Sequence, residues 1–279
     1  MRLAKLPLCI LAIALGACGK TEPAAPAAAA AKSAAGIVSG RVLEEGGNPI
    51  NVPGAKITLA LWGVATKSGE KVSFSPKVNP DGTFSQTVPE GSYHFGFAHL
   101  DIAFNGKPFM LDLEPVGDDH SDRDSAPGIV QNYTWKLTGV RPGHEANEAN
   151  FTNWYGASVN MRFGGYRNDI KKSVPPGPAG AKYVFTLIPT SNLIDGKPGK
   201  PLSFTREMDP LLGGLKNGNL ADIPIADYTV TGEEIAPDGS HKPLLMETAY
   251  AKYENSAPIK FEPGASTGPW PRNQTFTRP

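Results

Sequence analysis

From Ile37 onward, apolar and polar residues alternate with a period of two. Ile57, Leu59 and Leu61 are separated by Thr58 and Ala60, and Tyr93, Phe95 and Phe97 by His94 and Gly96. In an extended chain successive side chains point to opposite faces, so this spacing builds strands with one buried and one solvated side. Turn signals interrupt the pattern at short intervals: Gly46-Gly47-Asn48-Pro49, Asn79-Pro80-Asp81-Gly82, Glu90-Gly91 and Asn105-Gly106. The chain carries 31 Gly and 27 Pro in 279 residues, and no long window shows a helical apolar stripe. Short antiparallel strands joined by tight turns predict an all-β sandwich. The 27 basic residues balance 27 acidic ones, without the basic excess typical of nucleic-acid binding.

Five segments in order carry a family likeness. They are Gly40-Arg41-Val42, then Gly47-Asn48-Pro49-Ile50, then Pro53-Gly54-Ala55-Lys56-Ile57-Thr58-Leu59, then Asp81-Gly82-Thr83-Phe84, and finally Val88-Pro89-Glu90-Gly91-Ser92-Tyr93. This series resembles the carboxypeptidase regulatory-like, or transthyretin-like, domain over residues 37–116. The departures are an extra Asn51-Val52 and a longer insertion between Gly63 and Lys77. Physically, Asp-Gly supplies a hairpin turn and Gly91 a tight corner before Tyr93 turns inward. The resemblance implies an Ig-like or transthyretin-like β-sandwich and an accessory module without zinc ligands.

A fainter copy follows. Residues 178–185 mirror 52–59, Asn217-Gly218-Asn219-Leu220 mirrors Asp81-Gly82-Thr83-Phe84, and Ile223-Pro224-Ile225-Ala226-Asp227-Tyr228 mirrors Val88 to Tyr93. A second sandwich over residues 128–262 is therefore expected, opened by Ile129, Val130, Tyr133, Trp135 and Leu137, with Trp135 in the core. The polar run 117–127 reads as an acidic linker between the two, and 263–279 as an irregular tail.

The first residues set an address. Arg2 and Lys5 precede an apolar stretch from Leu6 to Leu15, and Leu15-Gly16-Ala17-Cys18 follows. The stretch is too short to span a bilayer and reads as a secretory signal over residues 1–17. The tetrapeptide resembles the lipobox of bacterial lipoproteins, which implies a diacylglyceryl anchor on Cys18; the other reading is an ordinary signal peptide that leaves a free thiol. Gly19 after the cysteine, where an aspartate would favour the inner membrane, implies an outer-membrane lipoprotein facing the periplasm or the cell surface. Residues 18–36, rich in Ala and Pro, read as a tether. Cys9 leaves with the signal, so a lipidated mature chain has no thiol for a disulfide, a zinc site or catalysis.

Candidate sites are few. No Gly-x-Ser-x-Gly, His-Glu-x-x-His, Walker or dinucleotide motif occurs, and the chain reads as a non-enzyme. His94 and His99 stand near Asp101, but five residues apart they are expected on opposite faces of one strand. Asp118, Asp119, Asp122 and Asp124 place four hard carboxylates within seven residues, a candidate Ca²⁺ site opposed by Arg123; the simpler reading is a solvated acidic segment. Phe151, Trp154 and Tyr155, with Asn153, Tyr166 and Arg167, form the candidate ligand site: flat aromatic faces suit a sugar ring, and Asn and Arg its hydroxyls. Packing is the competing role for Trp154 and Tyr155. The expected function is a membrane-anchored envelope binding module, with a glycan as candidate ligand. The second expectation is a structural or protein-interaction lipoprotein that pairs sheet edges with an envelope protein.

Overall fold

The computed structural model describes residues 36–279 apart from 51, 53, 64–70, 75, 118–120, 210–212, 265–267 and 270. The expected signal, Cys18 and the tether to residue 35 lie outside the described residues, as do Asp118 and Asp119. Gly36, placed at the tether's end, is already tied down: its N–H donates to Ser125 O at 2.8 Å and its carbonyl accepts from Val88 N at 2.8 Å.

The fold is an all-β sandwich, as the alternation requires. The first half contains β1 (Ile37–Glu44), β2 (Lys56–Gly63), β3 (Lys71–Phe74), β4 (Thr83–Thr87), β5 (Ser92–Phe104), β6 (Lys107–Pro115), β7 (Arg123–Asp124), β8 (Ile129–Val130) and β9 (Tyr133–Trp135). They form one curled sheet in the order β3-β2-β5-β6-β9-β1-β4, with β7 on β5 and β8 on β1. Its concave side buries Val38, Val42, Ile57, Phe84, Tyr93, Leu100, Phe109 and Trp135.

The second half contains β10 (Ala157–Phe163), β11 (Tyr166–Arg167), β12 (Lys172–Ser173), β13 (Lys182–Pro189), β14 (Leu202–Asp209), β15 (Gly214–Leu215), β16 (Asn219–Ile223), β17 (Tyr228–Ile235), β18 (His241–Pro243), β19 (Leu245–Ala249), β20 (Lys252–Glu254), β21 (Ser256–Ile259) and β22 (Arg272–Thr277). One sheet runs β16-β10-β22-β19-β20 and the other β15-β14-β13-β17-β18, with β21 on β17.

The two halves share one plan. β1 pairs antiparallel with β4 and parallel with β9, and β10 pairs antiparallel with β16 and parallel with β22. In the same way β2 lies between β3 and β5, and β13 between β14 and β17. The three mirrored segments occupy equivalent positions. Ala55 N donates to Val52 O, and Ala181 N to Pro178 O. Val42 N donates to Gly82 O, and Met161 N to Gly218 O, both at 2.8 Å. Tyr93 Oη donates to Pro89 O at 2.6 Å, and Tyr228 Oη to Pro224 O at 2.7 Å. In each case the tyrosine pins the corner four residues before it, and the second corner forms without the glycine that the first uses.

Three expectations about boundaries are corrected. Ile129 to Trp135 do not open the second half; they return to lie beside β1 and close the first half. The described part of the expected linker, residues 121–127, belongs to the first half and is not a boundary, since Arg123 and Asp124 pair with Tyr93 and Ser92. The C-terminal residues are not an irregular tail either: β22 sits at the centre of its sheet between β10 and β19. Phe276 is fully buried, with ring centroids 5.6, 5.7 and 5.0 Å from Phe163, Tyr183 and Phe185. Just beyond the strand, Arg278 Nε meets Glu234 Oε2 at 2.8 Å, and Glu234 is 1% exposed. Tyr183 Oη donates to the same carboxylate at 3.2 Å; burial, and then the Glu234 charge, push that phenol up to about 12.

Gly82 and Gly218 are the tightest equivalent points. A Cβ at Gly82 would stand 2.5 Å from Val42 O, and one at Gly218 2.5 Å from Met161 O. Gly82→Ala and Gly218→Ala are expected to destabilise their halves by roughly 1–3 kcal/mol each, with the larger loss at Gly82, where φ is +78°. Urea unfolding checks this, and a neutral substitution at either position contradicts the equivalence.

Candidate functional site

Of the six residues expected to bind a ligand, Phe151, Asn153, Trp154 and Tyr155 fall on the segment that links the halves, and the last three help to hold it. Residues 136–156 leave β9, cross the outer face of β6 and enter β10. The segment is anchored on the second half by Asp222, which sits in a bulge of β16 with φ +61°. Its carboxylate accepts from Gly139 N at 2.8 and 2.9 Å and from Gly156 N at 3.3 Å. Asp tolerates this left-handed backbone better than most residues. Burial raises its pKa, while these backbone donors act in the opposite direction. Gly156 is required, because a Cβ there would come 2.6 Å from the Asp222 backbone.

On the first half the anchors are Arg141 and Tyr155. The Arg141 guanidinium pairs with Asp112 of β6, its Nε donates to Trp154 O at 2.8 Å, and its centre lies 5.2 Å from the Tyr155 ring. Tyr155 is 9% exposed and donates to Glu114 Oε2 at 3.3 Å. Lys136 Nζ lies 2.7 Å from the same oxygen and 5.8 Å from the Tyr155 ring centroid. Burial first, and then the Glu114 charge, push the Tyr155 phenol up to about 12. Cation–π contacts and charge-assisted hydrogen bonds are strengthened by partial desolvation, so this cluster is a structural joint.

The expected ligand residues are accordingly divided. Asn153 is buried and donates to Glu145 O at 3.0 Å; Trp154 is half-buried, and its indole N–H donates to Asn147 O at 3.1 Å. Phe151, in a 3-10 turn capped by Asn150, is 43% exposed. Tyr166 and Arg167 lie past the far end of β10, beyond about 20 Å of extended strand, so the chain does not bring the six together. Tyr166 is 48% exposed. Arg167 pairs with Asp169, and its guanidinium lies 5.4 Å from the Tyr253 ring centroid, docking the β11–β12 hairpin against β20. Ile170 of that hairpin is also exposed, and Tyr250, at the turn between β19 and β20, is 87% exposed. The sequence reading passed over Tyr250 and Ile170, which carry no motif; only their position on hairpin turns singles them out.

No family model and no curated protein matches the chain. Three solved structures to which it is similar are the Bacillus anthracis TIE protein, a C-terminal fragment of the pilus adhesin SpaC from Lactobacillus rhamnosus GG, and a DUF3823 family protein from Bacteroides ovatus. Their identities are 11%, 14% and 14%, and their TM-scores 0.36, 0.28 and 0.22. The alignments cover 88%, 88% and 82% of this chain, and 34%, 96% and 99% of the other chains respectively. The chain thus spans about a third of the first of them. The fold assignment rests on the strand pairings described above.

Of the acidic segment, Asp122 Oδ1 lies 3.0 Å from His94 Nδ1, and Asp124 accepts from Ala126 N at 2.9 Å. Arg123 lies over the Phe95 ring. These carboxylates serve different partners, and among the described residues no three His, Cys, Asp or Glu side chains form a group suited to a metal ion.

One expectation about the histidines is corrected. Pairing of β2 with β5 shifts register between Leu59 and Leu61, so Tyr93 and Phe95 face inward and, past the bulge, so do Ala98 and Leu100. His94 and His99 therefore share the outer face. They serve separate neighbours: His99 Nδ1 stands 3.4 Å from Asp112 Oδ1, beside the Arg141 pair.

Burial lowers the His99 pKa below its ordinary 6.5, with the Asp101 charge opposing. The unfolded chain then takes up this proton at a higher pH than the folded one. Stability from neutral His99 is complete above about pH 6.5, is lost as pH falls toward the folded-state value, and changes no further below that. His99→Gln is expected to flatten the fall in melting temperature between about pH 7 and 5.5. An unchanged slope in the variant contradicts this assignment.

Proposed function

We propose that the chain is a non-enzymatic lipoprotein of the cell envelope, anchored in the outer membrane through Cys18. On this reading its tandem sandwiches hold a glycan-binding surface away from the bilayer. The observation that carries the reading is the exposure of Tyr166, Ile170 and Tyr250 on hairpins that Arg167 and Tyr253 dock together. Large apolar side chains grouped in water mark interaction surfaces, and tyrosine offers a flat face with a polar tip to a sugar ring. The lipobox resemblance supports the anchor, and acyl chains embed by about 0.8 kcal/mol per buried methylene.

A second reading, pairing of a partner strand along an open sheet edge, is favoured by β14. Among the described residues, 202–205 pair with β13 on one side only, and Ser203 and Thr205 are exposed. An unpaired edge is a template for another chain.

The double variant Tyr166→Ala/Tyr250→Ala is expected to keep the wild-type melting temperature and to lose about tenfold or more in affinity for envelope polysaccharide on a glycan array. No glycan retained by the wild type, or undiminished binding by the variant, sinks the glycan reading. Recovery of an envelope protein from detergent-solubilised membranes in that case supports edge pairing.

A further inference from the structure

A cleft opens where the halves meet, on residues other than those of the aromatic hairpins. The β5–β6 turn brings Phe104, Asn105 and Lys107 from the first half against Asp227, Lys260 and Glu262 from the second, around a cavity of about 270 Å³. Ligand pockets favour interfaces between domains, and this volume lies just below the usual range of ~300–1,000 Å³, which suits one or two rings. Two of its polar groups are tied to each other across the contact. Asn105 Nδ2 donates to Asp227 Oδ2 at 3.2 Å, linking two residues 122 positions apart. Asn105 stands in a left-handed turn with φ +49°, a conformation its side chain tolerates. Phe104 meets Phe109 edge-on, with centroids 6.0 Å apart and planes at 76°, which fixes its ring at the wall. Asp227 is further fixed through its backbone, whose N–H donates to Ser191 Oγ and whose carbonyl accepts from Thr190 N.

The charges decide the ligand class. Lys107 and Glu262 pair with each other, and Lys260 and Asp227 contribute one further charge of each sign. The wall is neutral overall, so it does not concentrate an anion or a cation. What remains is a planar amide beside a carboxylate, an aromatic ring and an ammonium, which are donors and acceptors for neighbouring hydroxyls. We infer that this cleft is a subsite for a single uncharged sugar unit, gripped by both halves at once. The assignment rests on the glycan reading above for its ligand class but on separate residues. A ligand that touches both Asn105 and Asp227 would also stiffen the contact between the halves, because binding to the folded form alone raises its stability.

The test uses the full chain with uncharged hexoses, N-acetylhexosamines and their disaccharides, and with uronic acids, amino sugars and a dipeptide as charged comparators. Saturation-transfer NMR and calorimetry are expected to find an uncharged sugar binding at about millimolar affinity or tighter and raising the melting temperature. Asp227→Ala is expected to weaken that binding tenfold or more with only a small loss of melting temperature in the absence of sugar, because the hydrogen bond it removes is solvent-exposed. Asn105→Gly, which keeps the left-handed turn, is expected to do the same. Tyr166→Ala/Tyr250→Ala is expected to leave small-sugar binding intact. The inference is overturned if no uncharged sugar binds at about 10 mM, if a charged comparator binds as well as the best uncharged one, or if both cleft variants bind like wild type. Polysaccharide retention without small-sugar binding sinks the cleft and leaves the aromatic surface standing. Small-sugar binding without polysaccharide retention does the reverse.

Discussion

Each half is closed by a strand that returns to lie parallel beside the strand that began it. That constraint orders everything else. A parallel neighbour cannot be reached by a tight turn, so the first half is complete only after residues 129–135 have come back to β1, and the second only after the C-terminal strand has entered between β10 and β19. The returning strands also supply core residues. Tyr133 lies 6.2 Å from Phe84 in the first half, and Phe276 joins three other rings in the second. Arg278 then seals the end of the last strand over Glu234, a buried charge that is costly to leave unpaired.

The joint follows from the same topology. Because β9 ends beside β6, the chain leaves the first half next to Asp112 and Glu114, and the linking segment must pass over them. Arg141 and Tyr155 meet those carboxylates, while Asp222 ties both ends of the segment, at Gly139 and Gly156, to the second half. Further links join the halves elsewhere, among them Lys197 with Glu44 at 2.5 Å and Asn105 with Asp227. The link is therefore held by named charge pairs and backbone bonds, and the sugar cleft proposed at the second of these contacts inherits its geometry.

Local pattern made much of the fold readable. The alternation around Ile57, and from Tyr93 as far as Phe95, the Asp81-Gly82 and Asn217-Gly218 turns, and the two Pro-to-Tyr corners stand where the sequence predicts them, and the mirrored segments are equivalent in space. The returning strands were not readable, for a physical reason. Residues 272–277 read Arg-Asn-Gln-Thr-Phe-Thr, with one apolar side chain, and Gln274 is buried only because Glu247 O and Thr275 O accept its amide. Residues 129–135 are short and broken by Asn132, so they look like the opening of something new. The bulge that puts His94 and His99 on one face leaves no mark on composition. Tyr155 resembled an exposed sugar platform because the groups that cover it, Glu114 and Arg141, are 41 and 14 positions away in sequence. Tyr166 kept its exposure because its hairpin stands outside both sheets.

Closure of the second half by a polar C-terminal segment has a direct measure in native-state hydrogen exchange. A strand at the centre of a sheet opens only with the cooperative unit that contains it. Amides of Arg272–Thr277 are expected to exchange as slowly as those of Val159 and Met161 across the pairing with β10, and with the same denaturant dependence. Exchange of residues 272–277 at the rate of an unstructured terminus, while β10 remains protected, would contradict it.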